Sequence, residues 1–408
     1  MKVKGGYRFL VRTKFPVWAL FAVAVRLPNA TAPLAMVFLG HGATGSYASG
    51  GTLAAAFVIG EVGGAAVLGW VGKEVNVRRD VPIGLAVGAI GFALLTAGAA
   101  MPYAVLVGAA VLAGAGPAQS GGALRAALGR LVDEDDVARA YSVDSLITEL
   151  VWLLAPALVA AAAVTVSPYA VLGLNAGLLV IAVLLALTAG SSLLAVEDHH
   201  SDSESGVAPL SRRVLLRAWP IYLTSAAALS LLAIAELVLP ALLEERGHSA
   251  VWAGVLLAVF AAASAVTSVV YGLRKWVGSV RMQSTVFLVA TAAALALMAV
   301  APSLVLIGAA LVVAGICQAV VMITRNLSLR DDLPASLHTG GFTFMYSVQG
   351  AGYAVSAILA SAVLDRAGAP AAIGAGLAVM VLLTVTSLGA ELFRHVRQPS
   401  PARVDGAR

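Results

Sequence analysis

The chain has one cysteine, Cys317, among its 408 residues, and only 12% of its residues are Asp, Glu, Lys or Arg. A single cysteine excludes an internal disulfide framework and a zinc site built from cysteines. The charged fraction is about half the ~25% that is typical of soluble domains, and the mean hydropathy is high, at +0.93. A soluble domain, a disordered chain and a coiled coil are therefore excluded. The apolar residues also fail to alternate with polar ones, which argues against an outer-membrane β-barrel.

What the sequence has instead is long apolar runs. Twelve of them approach or exceed the ~20 residues that a helix needs to cross the hydrocarbon core of a bilayer. They predict spans near 16–39, 49–71, 81–100, 103–124, 141–164, 168–195, 218–243, 250–273, 283–301, 303–324, 340–363 and 369–391. The longest polar stretch, from Glu197 to Arg213, separates the sixth run from the seventh. We therefore predict an all-α membrane protein with two six-helix bundles at 1–196 and 214–408, a linker at 197–213 and a basic tail.

The positions of the basic residues predict the orientation. Nearly all of the 26 Lys and Arg residues lie at the amino terminus, in the tail or in alternate connections. Because cytoplasmic loops of membrane proteins carry the excess of Lys and Arg, both termini are predicted to be cytoplasmic, in a multi-pass protein of the cell membrane. The net charge of +5 is thus a sign of topology and implies no nucleic-acid partner. We expect a monomer in the lipid bilayer.

An internal repeat relates the two halves. A shift of 200 residues places PYAVLVGAAVLAG (102–114) on PSLVLIGAALVVA (302–314), and it carries Arg125 onto Arg325 and Arg130 onto Arg330. A six-helix unit used twice in one orientation generates a pseudo-twofold axis along the membrane normal. The bundles are therefore predicted to be pseudo-symmetric, with a binding site near the midplane where they meet.

Polar residues within the spans are the candidates for function, because an ionisable group in the bilayer is costly. They lie in spans 1, 2, 4, 5, 7, 10 and 11: Arg26, Asn29, Glu61, Gln119, Asp144, Glu149, Glu236, Gln318 and Gln349. Spans 3, 6, 9 and 12 have almost none. The pattern predicts that these four spans face lipid while the others surround a wet cavity.

The loop after the second span carries a family resemblance. It contains Gly69 followed by the pair Arg78-Arg79, at the spacing of the Gly-x-x-x-Asp-Arg-x-Gly-x-Arg-Arg motif of the major facilitator superfamily. The fourth span keeps the glutamine of a second motif as Gln119, and the fifth keeps the proline of a third as Pro156. The chain thus resembles this superfamily, particularly actinobacterial members of its drug/proton antiporter branch. The resemblance implies a secondary transporter in which Gly69, Arg78 and Arg79 belong to a gating loop.

Glu149 is the first candidate for proton coupling. With Trp152 and Pro156 it forms an i, i+3, i+7 stripe on one face of the fifth span. A low-dielectric cavity favours the neutral form of a carboxyl group, so such a group can exchange protons as the cavity faces alternate sides. Trp152 could stack on a cationic or aromatic substrate. The alternative is a glutamate held by one fixed bond between helices.

Glu61 is the second candidate for proton coupling. We expect Glu61 to pair with Arg26 of the first span, in either a static or a functional ion pair. Arg26 and Asn29 share a helix face suited to an anionic or carbonyl-bearing group, and Glu236 is a further substrate-binding candidate. The middle of the membrane would then contain one basic residue, Arg26, and three acidic residues, Glu61, Glu149 and Glu236. This excess of acidic residues suits proton coupling and a cationic or neutral substrate.

Further assignments concern the eleventh span and the loops. Phe342, Met345 or Tyr346, Gln349 and Tyr353 form a stripe that is either a substrate platform or ordinary packing, with Gln349 and Tyr353 taken as substrate-binding. Arg125 and Arg325 are expected at the cytoplasmic boundary, in contact with lipid headgroups or the opposite half. The acidic run 133–136 is interpreted as a solvated loop. No metal or cofactor is expected.

These observations predict proton-coupled export of small amphipathic compounds, driven by rocking of the two halves about a midplane site. An importer of sugars or other metabolites on the same fold is the alternative, and a membrane-embedded enzyme is a distant one. The chain has no Gly-x4-Gly-Lys-Ser/Thr loop, so ATP is not expected to drive transport directly.

Overall fold

The computed structural model describes residues 10, 14–44, 47–70, 77–193, 213–249, 251–274 and 276–397. All regular secondary structure within these residues is helical. Twelve of the helices are long and apolar enough to cross a membrane, as the apolar runs predicted. The predicted linker, apart from Arg213, and loop residues 71–76 lie outside the described residues.

The helices follow the predicted spans closely. The amino-terminal half contains α1 (Phe15–Thr44), α2 (Tyr47–Trp70), α3 (Val77–Thr96), α4 (Tyr103–Leu131), α5 (Val137–Thr165) and α6 (Pro168–Leu193). The carboxy-terminal half contains α7 (Trp219–Glu245), α8 (Trp252–Leu273), α9 (Val280–Val300), α10 (Leu304–Asp332), α11 (Ala335–Leu364) and α12 (Arg366–Gly389).

Prolines remove backbone hydrogen bonds from two helices of the amino-terminal half. Pro28 and Pro33 lie inside α1, which continues through both of them as one helix, and each removes a backbone donor. The helix α4 passes through a 3-10 segment, Gly116–Gln119, which contains Pro117. Such breaks place side chains of one helix at depths that a regular helix would not reach.

A glycine makes the reversal between α11 and α12 possible. Gly368 has a φ of 80°, in the left-handed region that other residues avoid. The next residue, Ala369, donates its backbone N–H to Oε1 of Glu245, at 2.7 Å, from the end of α7. A carboxylate at a helix amino terminus accepts a hydrogen bond from a free N–H group, and its negative charge interacts favourably with the positive end of the helix dipole.

The two halves meet along two seams. On one seam α2 and α4 pack against α11, and on the other α5 packs against α8 and α10. Exposed aliphatic side chains lie on helices of every position in the triplets, for example Ile90 on α3, Leu184 on α6 and Val266 on α8. The lipid-facing position of α3, α6, α9 and α12 therefore stays a prediction.

Small residues bring the backbones together on the first seam. A Cβ atom at Gly69 would lie 2.7 Å from the backbone nitrogen of Phe344, and one at Gly122 would lie 2.6 Å from the carbonyl oxygen of Thr339. These distances are too short for a real side chain. The seam can therefore close in this way only with glycine at both positions.

Candidate functional site

Three buried charges form a triad in the amino-terminal half. The guanidinium group of Arg26 on α1 is ion-paired with Oδ1 of Asp144 on α5. Nε of Arg125 on α4 lies 3.5 Å from the other carboxylate oxygen. The side chain of Asp144 is 1% exposed, and those of Arg26 and Arg125 are 11% and 16% exposed. One carboxylate thus links three helices and serves two cations.

Glu61 does not pair with Arg26, so the expected ion pair between α1 and α2 is wrong. The guanidinium group of Arg26 points toward α5, and Asn29, one turn along α1, reaches Glu61 instead. Nδ2 of Asn29 donates to Oε1 of Glu61 at 2.7 Å. The hydroxyl of Tyr346, from α11 of the opposite half, donates to the same oxygen at 2.8 Å. Glu61 therefore bridges the first seam through hydrogen bonds.

Glu149 bridges the second seam in a similar way. The hydroxyl of Ser264 on α8 donates to Oε1 of Glu149 on α5 at 2.9 Å. In the carboxy-terminal half, the Tyr353 hydroxyl donates to Oε2 of Glu236 at 2.8 Å. Trp152 lies one turn beyond Glu149 and is 54% exposed. Both seams therefore join a carboxylate of the amino-terminal half to a hydroxyl of the other half.

The polar groups form two levels along the membrane normal. Asp144 precedes Glu149 by five residues on α5, a rise of about 7.5 Å, and Tyr346 precedes Tyr353 by seven residues on α11, about 10 Å. The connections after α4 and α10 lie beyond the Asp144 level. We call that side the basic face, since it carries most of the Lys and Arg residues. The triad and Glu61 are nearer to this face, and Glu149 and Glu236 are farther from it.

The stripe predicted on α11 is divided between two roles. Phe342 and Met345 are fully buried, and the Phe342 ring packs on Tyr141 of α5, with 6.2 Å between ring centroids. These two residues are packing residues, which is the second of the two alternatives that the sequence left open for the stripe. Tyr346 and Tyr353 instead make the carboxylate contacts, and Gln349 between them is 8% exposed.

Arg125 and Arg325 are more buried than contacts with lipid headgroups would require. Arg125 belongs to the triad. The side chain of Arg325 is 2% exposed and donates to the hydroxyl of Thr224 on α7 at 2.6 Å. Each guanidinium group has a buried partner within its own half, and the position of the two residues at the cytoplasmic boundary stays a prediction.

Contacts between the halves continue to the basic face. Arg330 at the end of α10 makes two hydrogen bonds to the carboxylate of Glu134, at 2.9 and 2.7 Å. Nε of Arg139 on α5 donates to the carbonyl of Gly272 on α8 at 3.2 Å, and Asp136 is ion-paired with Arg139. The acidic run 133–136 is thus solvent-exposed, as expected, yet it also joins the halves.

The predicted gating loop is only partly described. Gly69 lies on the first seam against Phe344. Arg78 is exposed, and Arg79 forms a 2.8 Å ion pair with its neighbour Asp80. A gating role for Gly69, Arg78 and Arg79 therefore stays a prediction.

Removing the Glu134–Arg330 pair should shift the molecule modestly toward opening at the basic face. Glu134 is 79% exposed, and exposed ion pairs contribute about 0–1 kcal/mol. We expect Arg330→Gln to raise the open population up to about fivefold. The charge exchange Glu134→Arg with Arg330→Glu should reverse most of the effect.

The distance between two spin labels measures this shift. Asp135→Cys and Ser336→Cys carry the labels in a Cys317→Ala background, one label on each half at the basic face. Electron paramagnetic resonance then reports the separation of the halves. If the distance changes caused by Glu134→Arg and Arg330→Glu simply add in the double variant, the ion pair makes no contribution to closure of the basic face.

Comparison with known proteins identifies the family. Residues 18–350 match the model of the Major Facilitator Superfamily. The chain belongs to this superfamily. It is a membrane transporter and not an enzyme, as the sequence predicted. A search of the curated proteins finds no significant match.

Solved structures share the fold across nearly the whole chain. The human organic anion transporter MFSD10 (TETRAN) is 16% identical, with 94% of this chain and 100% of that chain covered and a TM-score of 0.68. The E. coli fucose:proton symporter FucP is 16% identical, with 96% and 100% covered and a TM-score of 0.71. A bacterial homologue of the iron transporter ferroportin, in an outward-facing state, is 14% identical, with 96% and 100% covered and a TM-score of 0.73.

Proposed function

We propose that the chain is a proton-coupled exporter of small amphipathic compounds that works by alternating access. The observation that carries this proposal is the pair of carboxylates, Glu61 and Glu149, that bond hydroxyl groups across the two seams. A carboxylate accepts a hydrogen bond from a hydroxyl strongly, and protonation weakens that acceptor. Proton uptake at Glu61 or Glu149 would therefore loosen the contact between the halves.

The contacts in the structure favour one direction of opening. The hydrogen bonds that join the described parts of the two halves lie at the midplane or toward the basic face. With the basic connections in the cytoplasm, this conformation would be closed to the cytoplasm and open to the outside. The outward-facing state of the ferroportin homologue, at a TM-score of 0.73, is consistent with that orientation.

The transport cycle follows from these contacts. Protons from outside would reach Glu149 and Glu61 in this conformation. Protonation would release Ser264 and Tyr346, and the halves would rock apart at the basic face. Substrate from the cytoplasm would then displace the protons and return the molecule to its starting state. Arg26, Asn29 and Gln349 would shape the pocket, together with Trp152, Glu236 and Tyr353.

Proton flux into liposomes tests the proposal. The purified protein is reconstituted with a pH-sensitive dye inside, and a panel of antibiotics and metabolites is added under an imposed pH gradient. We expect substrate-dependent proton flux that falls at least tenfold in Glu149→Gln or in Glu61→Gln. Glu244→Gln, an exposed position at the end of α7, is the control that should keep it.

Two outcomes would change the conclusion. Flux that persists in both glutamine variants would move the proton to Glu236 or elsewhere. Movement of compounds without any proton flux would overturn the coupling in favour of facilitated diffusion.

Import of an anionic or sugar-like metabolite with a proton is the second candidate. It is favoured by the net positive charge of the Arg26–Asp144–Arg125 triad, which suits a carboxylate or several hydroxyl groups. The fucose:proton symporter shares the fold at a TM-score of 0.71. Substrate that moves in the same direction as the proton in the liposome assay would favour this candidate.

A further inference from the structure

Hydroxyl groups of the carboxy-terminal half hold the two seams together. On the first seam, Tyr346 donates to a carboxylate of α2, and its neighbour Ser347 donates to the backbone carbonyl of Val62 at 3.0 Å. On the second seam, Ser264 donates to a carboxylate of α5. These crossing hydrogen bonds favour the arrangement in which the basic face is closed.

A further hydroxyl on each seam has no hydrogen-bond partner among the described residues. Thr343 precedes Tyr346 by three residues on α11, and Ser268 follows Ser264 by four residues on α8. Both therefore lie nearer to the basic face than the bonded hydroxyl of the same seam. Thr343 is 1% exposed and Ser268 is 0% exposed. Their hydrogen bonds to water are thus lost without replacement.

The positions of these two hydroxyls tie them to the contact between the halves. Oγ1 of Thr343 lies directly against Gly122 of α4. Ser268 shares one face of α8 with Ser264, since residues four apart lie on the same side of a helix. Toward the basic face, the same seam is closed by the bond from Arg139 to a backbone carbonyl of α8. Ser268 is therefore enclosed between two contacts that join the halves.

We propose that the hydroxyls of Thr343 and Ser268 bias the protein toward opening at the basic face. A buried hydroxyl without a partner destabilises the state that buries it. Water reaches both groups when the seams separate, so the destabilisation is confined to the closed state. It offsets part of the stability that the crossing hydrogen bonds supply, and the loss of one such bond is then enough to open the basic face. This inference rests on the proposed alternating access, but it requires neither a particular substrate nor proton coupling.

Substitutions that remove only the hydroxyl test this inference. Thr343→Val keeps the shape of the side chain, and Ser268→Ala removes a single oxygen. Each should lower the open population about fivefold or more, because each removes an unsatisfied polar group from the closed state. Ser264→Ala removes a hydroxyl that is bonded across the seam, and it should raise the open population instead.

Ser284→Ala is the matched control. Ser284 on α9 is 1% exposed, and its hydroxyl also has no partner among the described residues. However, α9 packs against α10, α11 and other helices of its own half. Loss of this hydroxyl should therefore leave the open population unchanged.

The rate of thiol labelling measures the open population, even where that population is small. In a Cys317→Ala background, Ser145→Cys places a reporter on the second seam and Thr339→Cys places one on the first. The two native side chains are 9% and 6% exposed, so a bulky water-soluble maleimide reacts when the seams separate. Thr343→Val is measured with the reporter at 145, and Ser268→Ala with the reporter at 339. Each reporter then lies on the seam opposite to the substitution.

The outcomes separate this inference from the proposed function. Unchanged or faster labelling in Thr343→Val and Ser268→Ala would overturn the inference and leave alternating access standing. Equally slow labelling in Ser284→Ala would also overturn it, since a hydroxyl away from the seams would then act alike. No labelling of either reporter in any variant would overturn both. Slower labelling in the two seam variants alone would support the inference, even if the liposome assay showed no proton flux.

Discussion

Asp144→Asn should be the most destabilising single substitution in the membrane-embedded part of the described chain. It would leave Arg26 and Arg125 buried beside a neutral amide, with no carboxylate for either guanidinium group. Breaking a buried ion pair by removing one partner costs about 3–5 kcal/mol. Each kcal/mol lowers the melting temperature of a large domain by about 2 °C, so we expect a fall of about 6–10 °C.

The arginine variants provide the comparison that makes this prediction specific. In Arg26→Met, Asp144 keeps Arg125, and in Arg125→Met it keeps Arg26, so each variant retains one balanced pair. Both should melt closer to the unmodified protein than Asp144→Asn does. An Asp144→Asn protein as stable as Arg26→Met would show that the triad is not held by charge compensation.

Cys317 provides the measurement. It is the only cysteine in the sequence, and it is buried in α10. A thiol-reactive fluorescent dye therefore reports unfolding of the detergent-solubilised protein without any added label. Asp135→Asn, an exposed acid at the basic face, is the control that should leave the melting temperature unchanged.

The fold could be predicted because its causes are local. Each membrane span must form its backbone hydrogen bonds within one helix, and it must cover about 30 Å of hydrocarbon. The lengths of the apolar runs therefore determine how many membrane-spanning helices there are and where they lie in the chain. The repeat and the scarcity of polar residues in every third span predict two halves and four lipid-facing helices, and these two expectations stay predictions. The break between α11 and α12 was placed near its true position because Arg366 and the glycines around it interrupt the apolar pattern.

The pairing of the embedded charges could not be predicted, because it depends on the rotation of each helix about its axis. Arg26 and Asn29 are one turn apart on α1, yet one faces α5 and the other faces α2. A change in helix rotation of a few tens of degrees would exchange those partners. Pro28 and Pro33 also lie in this segment of α1, and each removes a backbone hydrogen bond that would otherwise help to fix the helix geometry.

The sequence pattern did not predict the ion pairs of Asp144 with Arg26 and Arg125. Asp144 was recognised as lying within the fifth span, but it was left out of the charge balance at the midplane. Arg125 was assigned to the boundary from its depth in an unbroken helix. The 3-10 segment Gly116–Gln119 precedes it. Pro117 is the one residue in the sequence that indicates this interruption of the regular helix before Arg125.

Gly122→Leu should abolish the closed arrangement of the basic face. A side chain at Gly122 would meet the carbonyl oxygen of Thr339 and the backbone nitrogen of Thr343, at 2.6 and 2.8 Å from the first carbon alone. Overpacking a close contact costs about 1–3 kcal/mol, which corresponds to a shift of about 5-fold to 150-fold in a two-state equilibrium. The cost falls only on the closed state, because opening at the basic face separates α4 from α11.

The adjacent glycine supplies a matched control. A Cβ atom at Gly121 would meet nothing within 4 Å, so Gly121→Leu adds the same volume on the same helix without touching the seam. With spin labels at Asp135→Cys and Ser336→Cys, the Gly122→Leu protein should show a longer distance than the Gly121→Leu protein, and it should lose substrate-driven proton flux. The Gly122 contact lies on the same seam that Glu61 and Tyr346 bridge. A leucine at position 122 that separates this seam should therefore also make Glu61 accessible from the basic face. Identical distance distributions in the two variants would mean that the glycine contact does not control closure.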